Sequence, residues 1–321
     1  MFRFLGFIIC SFFATVAMAQ NTNQSILQTK FKNFDIITAN TQLVYDEIIR
    51  HSTRTNEYTL HVSDDVTWKL DLTPSNIIAD DYKLSIQNED GLQVKNSKPS
   101  CLPMQGFVSG NSSSRVSLTF DRDFIYGFIS AGGTTYYIEP LSYYIKSSAK
   151  DQFIMYSTND IIEDSSVKCG YELQKEKMDA YRQTNRGDHV GSRTGLCYYI
   201  RYALASDNSM VQNLGSVTAV QNHNIGVVNN VQTNYDDDFS DEFVYQISEQ
   251  WVSNCSTCDP WTSSTDSGAF LDDFTSWATS GFTTIHDIGG CWTNRNFNSG
   301  VIGLAWVGTV CTQFRYHVLE D

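Results

Sequence analysis

Positive charge is scarce in this sequence: 22 lysines and arginines face 36 aspartates and glutamates, for a net charge of −14. That balance repels polyanions and argues against a nucleic-acid partner. Proline is rarer still, at 5 in 321 residues, and the 20 glycines follow no fixed repeat. Collagen-like and proline-rich architectures are therefore excluded. Beyond the N-terminus no apolar run approaches the ~20 residues that a membrane-spanning helix needs. What the chain has in quantity is aromatic residues, 13% of the total within a hydrophobic content of 41%. Flat rings suit pleated surfaces, so a folded, strand-rich protein is expected.

The first nineteen residues read as a signal peptide. Arg3 supplies the basic start, Phe4 to Val16 the apolar run, and Ala17-Met18-Ala19 the small-residue cleavage site. The expected product begins at Gln20 and is secreted, which permits disulfides. Of 8 cysteines, Cys10 leaves with the signal. Cys101, Cys169, Cys197, Cys255, Cys258, Cys291 and Cys311 remain, an odd set in which one thiol must lack a partner within the chain.

Residues 20–170 alternate apolar and polar side chains in short runs. Strands are predicted at 58–62, 66–72, 82–86, 115–120, 124–130 and 134–138, with turns at Ser63-Asp64-Asp65, Asp121-Arg122-Asp123 and Ala131-Gly132-Gly133. Residues 171–194 are polar and read as an exposed linker; their Arg186-Gly187-Asp188 tripeptide is a short adhesion-type match of the kind that chance supplies. From 195 to 321 the pattern changes to strands and helices in alternation. Strands are predicted at 196–205, 242–252, 283–292 and 301–310. Asp207 is placed to cap a helix carrying Met210, Leu214, Val217, Gln221, Ile225, Val228 and Val231, and Ser267 to cap a second helix stopped by Gly281. The whole is α+β: a β-rich unit followed by an α/β unit with helices covering a sheet.

Three local motifs carry chemistry. Val167-Lys168-Cys169-Gly170 sets a cysteine beside a lysine that favours its thiolate, a strong zinc ligand, with a glycine that permits close approach. Cys169 either serves that purpose or bridges to Cys101. Cys255-Ser256-Thr257-Cys258 lacks both the second pair of a structural zinc site and the helix of a redox site, which favours a local disulfide. Asp236 to Glu242 is an acidic run without the glycine and terminal glutamate of a calcium loop, and reads as a solvated turn.

The tetrapeptide at 167–170 resembles the cysteine switch in the prodomain of reprolysin/adamalysin-like metalloproteases, a branch of the metzincins. Gly106-Phe107-Val108, Ser114 to Leu118, Gly127-Phe128-Ile129 and Tyr136 to Leu141 resemble that prodomain in order and spacing. Phe274-Thr275-Ser276-Trp277, His286-Asp287, Thr293-Asn294-Arg295 and Gly303 to Cys311 resemble the first half of the catalytic domain. The resemblance implies a latent zinc endopeptidase acting on protein or peptide substrates, with Cys169 as the inhibitory zinc ligand. It also makes Gly303, Leu304, Ala305, Trp306 and Val307 the strand that receives substrate. Calcium in the family is bound partly by an aspartate that Asp287 matches. The first-strand glutamate is matched by Arg201, and that reversal of charge argues against calcium. A family partner for a cysteine placed like Cys311 lies past the zinc helix.

The family's His-Glu-x-x-His pattern is missing: none of the 6 histidines precedes a glutamate, and no two are four residues apart. The resemblance puts that helix beyond Asp321, so a chain truncated before its zinc site, and inactive, is expected. The alternative is a non-catalytic secreted protein that binds or inhibits by presenting Cys169.

Overall fold

Short alternating runs build the first sheet. The computed structural model describes residues 24–51, 56–61, 67–171, 175–176, 179–180, 198–239 and 242–321. After β1 (Asp35–Thr38) and α1 (Thr41–His51), β2 (Asn56–His61) and β3 (Thr67–Pro74) pair antiparallel. Leu70 and Leu72 of β3 are buried while Lys69 and Thr73 face solvent, the period of two that a half-buried strand requires. A hairpin of β4 (Ile78–Asn88) and β5 (Gly91–Lys95) then leaves this sheet altogether. The chain returns as the meander β6 (Leu102–Val108), β7 (Asn111–Asp121), β8 (Phe124–Ala131), β9 (Thr134–Pro140) and β10 (Gln152–Ser157).

The first sheet has the order β1-β10-β9-β8-β7-β6-β3-β2 and is antiparallel throughout. Ala131 faces Thr134 across a two-residue loop, so Gly132 and Gly133 both take left-handed backbone, φ +61° and +79°. Tyr45 and Ile48 of α1 close its core over Leu70, Leu118, Ile129 and Phe153.

The second sheet runs β11 (Lys168–Cys169), β15 (Val301–Ala305), β16 (Tyr316–Glu320), β14 (Ile288–Thr293), β12 (Tyr198–Ser206), β13 (Phe243–Ser253), β4, β5. Pairings among β12, β13, β14 and β16 are parallel; β15 is antiparallel to β16. Central β12 is buried on both faces. Its Ala203 and Ala205 pack with α4 (Ser267–Gly281), whereas Tyr202 and Leu204 pack towards α2 (Asn208–Leu214) and α3 (Val217–Phe239). The reverse face of α3 meets the first sheet, where Asn222 donates to Asp121 (2.9 Å) and Asn229 to the Met104 carbonyl (3.0 Å).

Several element ends differ from those the sequence predicts. Asp207 caps α2 as expected, its carboxylate accepting from Met210 N–H. The stripe from Met210 to Val231 is two helices, because Gly215 turns left-handed at φ +93° and ends α2; Val231 lies off the buried face. Asp266, not Ser267, caps α4 by accepting from Ala269 N–H at 2.8 Å, and Gly281 is the last helical residue rather than a stop beyond it. A Cβ at Gly281 would strike the Trp277 ring, so packing explains that glycine. Residues 283–287 are not a strand, because two of their backbone N–H groups are turned onto Glu249. Residues 236–239 of the acidic run are helical rather than a turn, since α3 continues to Phe239, with Asp237 held by Arg115 at 2.7 Å. β16 has no counterpart among the predicted strands. The predicted signal peptide (1–19), the predicted Ser63-Asp64-Asp65 turn, Cys197 and most of the predicted 171–194 linker with its Arg186-Gly187-Asp188 lie outside the described residues.

Candidate functional site

At one flank of the second sheet β15 is covered by the short edge strand β11, which pairs with it in parallel, Lys168 opposite Val301 and Cys169 opposite Gly303. Two glycines make this approach possible. Gly300 has φ +71°, and a Cβ there would sit 2.1 Å from the Ser166 carbonyl oxygen. A Cβ on Gly170 would sit 2.9 Å from the Gly303 carbonyl oxygen. Gly170 therefore serves contact with the sheet edge, where the sequence suggested approach to a metal. Tyr171 packs against the core beneath β15, and Cys169 is an exposed, free thiol. Cys101 is free too, buried and far up in pKa through desolvation, so the alternative Cys101–Cys169 bridge is not formed.

Strand β15 ends at Ala305, short of the predicted limit. Val301, Gly303 and Leu304 are buried, while Ile302 and Ala305 face out. Trp306 and Val307 lie past the strand: the Trp306 indole donates to Thr275 Oγ1 at 3.0 Å, and Gly308 turns the chain at φ +76°. Thr309 hydroxyl closes that turn on the Trp306 and Phe314 carbonyls. Of the five predicted substrate-strand residues, Gly303, Leu304 and Ala305 are on β15.

Asp287 sits at the entry to β14 with its carboxylate already engaged. One oxygen accepts from Arg201 N–H at 2.8 Å and the other stands 3.5 Å from Cys311 Sγ. The Arg201 guanidinium donates to the Ile285 carbonyl and makes two bonds, 2.8 and 3.0 Å, to Asp81 of β4. It holds the Asp81 carboxyl below the usual carboxylate range. A guanidinium at this point does not fit a calcium ion beside Asp287. Burial and the neighbouring carboxylate raise the Cys311 thiol above its ordinary pKa. Cys255 and Cys258 form the local disulfide, in a turn after β13.

The histidines with described side chains are spent on structure. His223 of α3 lies between Tyr143 hydroxyl (3.0 Å) and Asp321 (2.6 Å). His286 meets the Thr284 carbonyl and Tyr316 hydroxyl, and burial lowers its pKa. His317 meets Tyr202 hydroxyl at 2.8 Å, its pKa driven down to about 4 by burial. Among the described residues no three of His, Cys, Asp and Glu gather where they could hold a metal ion.

With this geometry in view, comparison with known proteins is specific in one region. Residues 198–319, from β12 into β16, match the reprolysin-type sequence model described as metallo-peptidase family M12. This stretch is similar to the family M12 metallo-peptidases. The family is proteolytic and zinc-dependent. No curated protein matches the chain. Metalloproteinase-II from Bacteroides fragilis is a similar solved structure at 10% identity, covering 86% of this chain and 79% of that one, with a TM-score of 0.41. The donor set of this stretch does not fit the family's zinc: its described histidines stand on separate elements with partners of their own, and no two of the 6 histidines in the sequence are four residues apart. No catalytic step is assigned through that ion.

Sequence reading missed the second flank of this sheet, where β4 pairs with β13, and the partner of Arg201. Both depend on residues more than a hundred positions apart. A local signal existed only at Asn298-Ser299-Gly300, whose turn chemistry marks the close approach of residue 166.

Proposed function

We propose that this chain is the signal peptide, prodomain and first catalytic segment of a secreted, latent reprolysin-like metalloendopeptidase, with Cys169 as its inhibitory thiol. The observation that carries the reading is the placement of Cys169: exposed, unpaired, and laid along β15, the strand to which an extended substrate would add. A segment in that position blocks strand addition whether or not a metal is bound. Cys169 would be presented to a zinc ion whose protein ligands residues 1–321 do not include. Peptidase chemistry is accordingly assigned to no side chain of this chain, and purified 20–321 protein should show no chelator-sensitive peptidase activity.

The lack of a chelating histidine pair favours a second reading, a secreted protein that binds or inhibits through Cys169. Sequencing the coding DNA past the Asp321 codon separates the two. An in-frame His-Glu-x-x-His supports the protease, and the longer product with Cys169→Ala should then cleave a protein substrate at least ~10-fold faster than its parent before activation. A stop without that pattern, or equal activities, rejects latency through Cys169.

A further inference from the structure

The five strands β12 to β16 form the sheet of the M12-like unit, and both of its edges are covered from upstream of the linker. The two coverings are very unequal. On β15 lies β11, only Lys168 and Cys169, both exposed. On β13 lies β4, which runs parallel to it and spans Ile78–Asn88. The Ile77 carbonyl accepts from Ile247 N–H at 2.7 Å and the Gln87 carbonyl from Asn254 N–H at 2.9 Å, so the ladder is tied at both ends.

Side chains deepen the β4 contact. Ile77, Tyr82, Leu84 and Ile86 are buried in one core with Leu204, Ile247 and Val252. Ser85 hydroxyl donates to the buried Glu249 carboxylate at 2.6 Å, and Gln221 of α3 donates to Tyr82 hydroxyl at 2.7 Å. Without β4, an eleven-residue strand would present an open edge, and Glu249 would lose one of its donors while remaining buried. Such an interface has the character of a core shared between two segments, like that of an obligate complex, rather than of a contact made to come apart.

We infer that the upstream domain stays docked after the linker is cut, with β4 as a permanent sixth strand of the M12-like sheet, and that opening is confined to the β11 edge. The docking stands on the fold alone; its bearing on latency rests on the reading of Cys169 given above. Cleavage would then free the substrate-side edge without releasing residues 20–170, which remain a structural subunit of the mature protein.

The test uses the full purified chain with a protease recognition sequence inserted after Gly191, cut to completion and run on size exclusion at about 1 µM. Both pieces should elute together at the mass of the uncut chain. Hydrogen exchange in cut and uncut protein should be at least ~10-fold faster for amides of 168–169 and 301–303 than for those of 247–253. Separate peaks for the two pieces overturn the docking; faster exchange at 247–253 than at 301–303 overturns the confinement of opening to β11. A Cys169→Ala version should co-elute equally well, so failure of the switch reading leaves this outcome unchanged.

Discussion

Ile77→Ala probes the shared core from the side farthest in sequence from what it supports. Ile77 is fully buried among Leu204, Ile247 and Val252, and its backbone carbonyl bond to Ile247 survives the substitution. Only the packing is removed. Truncating a buried isoleucine to alanine costs about 2–5 kcal/mol, against a total of ~5–15 kcal/mol for a typical domain. The Arg201–Asp81 pair is a weaker lever: Asp81 is largely exposed, so Asp81→Ala should cost under about 1 kcal/mol. Tryptophan fluorescence reads the effect in the right place, since five of six tryptophans, Trp251, Trp261, Trp277, Trp292 and Trp306, lie in the downstream unit. With the sixth, Trp68, changed to Phe in parent and variant alike, urea unfolding should shift down by roughly 1 M for Ile77→Ala at slopes near 2–3 kcal/mol/M. A downstream midpoint that stays put while circular dichroism shows the first sheet weakened would refute a shared core.

Three further outcomes follow from particular side chains. Asp207→Ala removes the α2 cap and one of the two carboxylates on the Arg295 guanidinium, which keeps Asp259 at 2.8 Å, at a cost of about 1–3 kcal/mol; Asp207→Asn, which keeps the cap, should lose less in the same urea assay. Gly300→Ala places a methyl against the Ser166 carbonyl at φ +71° and should lift residues 166–170, so that Cys169 alkylates several-fold faster (~3-fold or more); an unchanged rate contradicts the contact. Glu139, half-buried beneath the Tyr144 and Tyr156 hydroxyls, has its carboxyl raised by desolvation. The folded chain then keeps a proton that the unfolded chain has lost, so stability falls as pH rises through and above the ordinary glutamate range, and Glu139→Gln should flatten that fall. A wild-type minus variant difference that rises with pH, measured by urea unfolding across the range, would contradict the sign.

What was legible in the sequence was what local periodicity encodes. β3, β7, β8, β9, β12 and β13 follow runs of alternating or continuous apolar residues, and the Asp207 cap follows from a short carboxylate before a helical stripe. The Cys255–Cys258 bridge was readable because a three-residue separation leaves few alternatives. Sheet membership was not readable. β4 has the same alternation as β3, yet one pairs with β2 and β6 and the other with β13, and only the shared core with α3 decides between them. The site was half legible: Lys168-Cys169-Gly170 marked the segment, while its seat on Val301–Gly303 depends on a left-handed Gly300 that no local pattern of residues 166–170 announces. Arg201 read as a lost calcium ligand because its partner, Asp81, is 120 residues away.

Cysteine mapping tests the account at its centre. Purified, unreduced protein is treated with iodoacetamide and its peptides are read by mass spectrometry. Cys169 should carry the alkyl group, Cys255 and Cys258 should be joined to each other, and buried Cys101 and Cys291, whose thiols are raised by desolvation, should remain unmodified until the protein is denatured. Cys169 protected from the reagent and recovered in a disulfide with Cys101 would contradict the free thiol on the β15 edge, and with it the proposed latency.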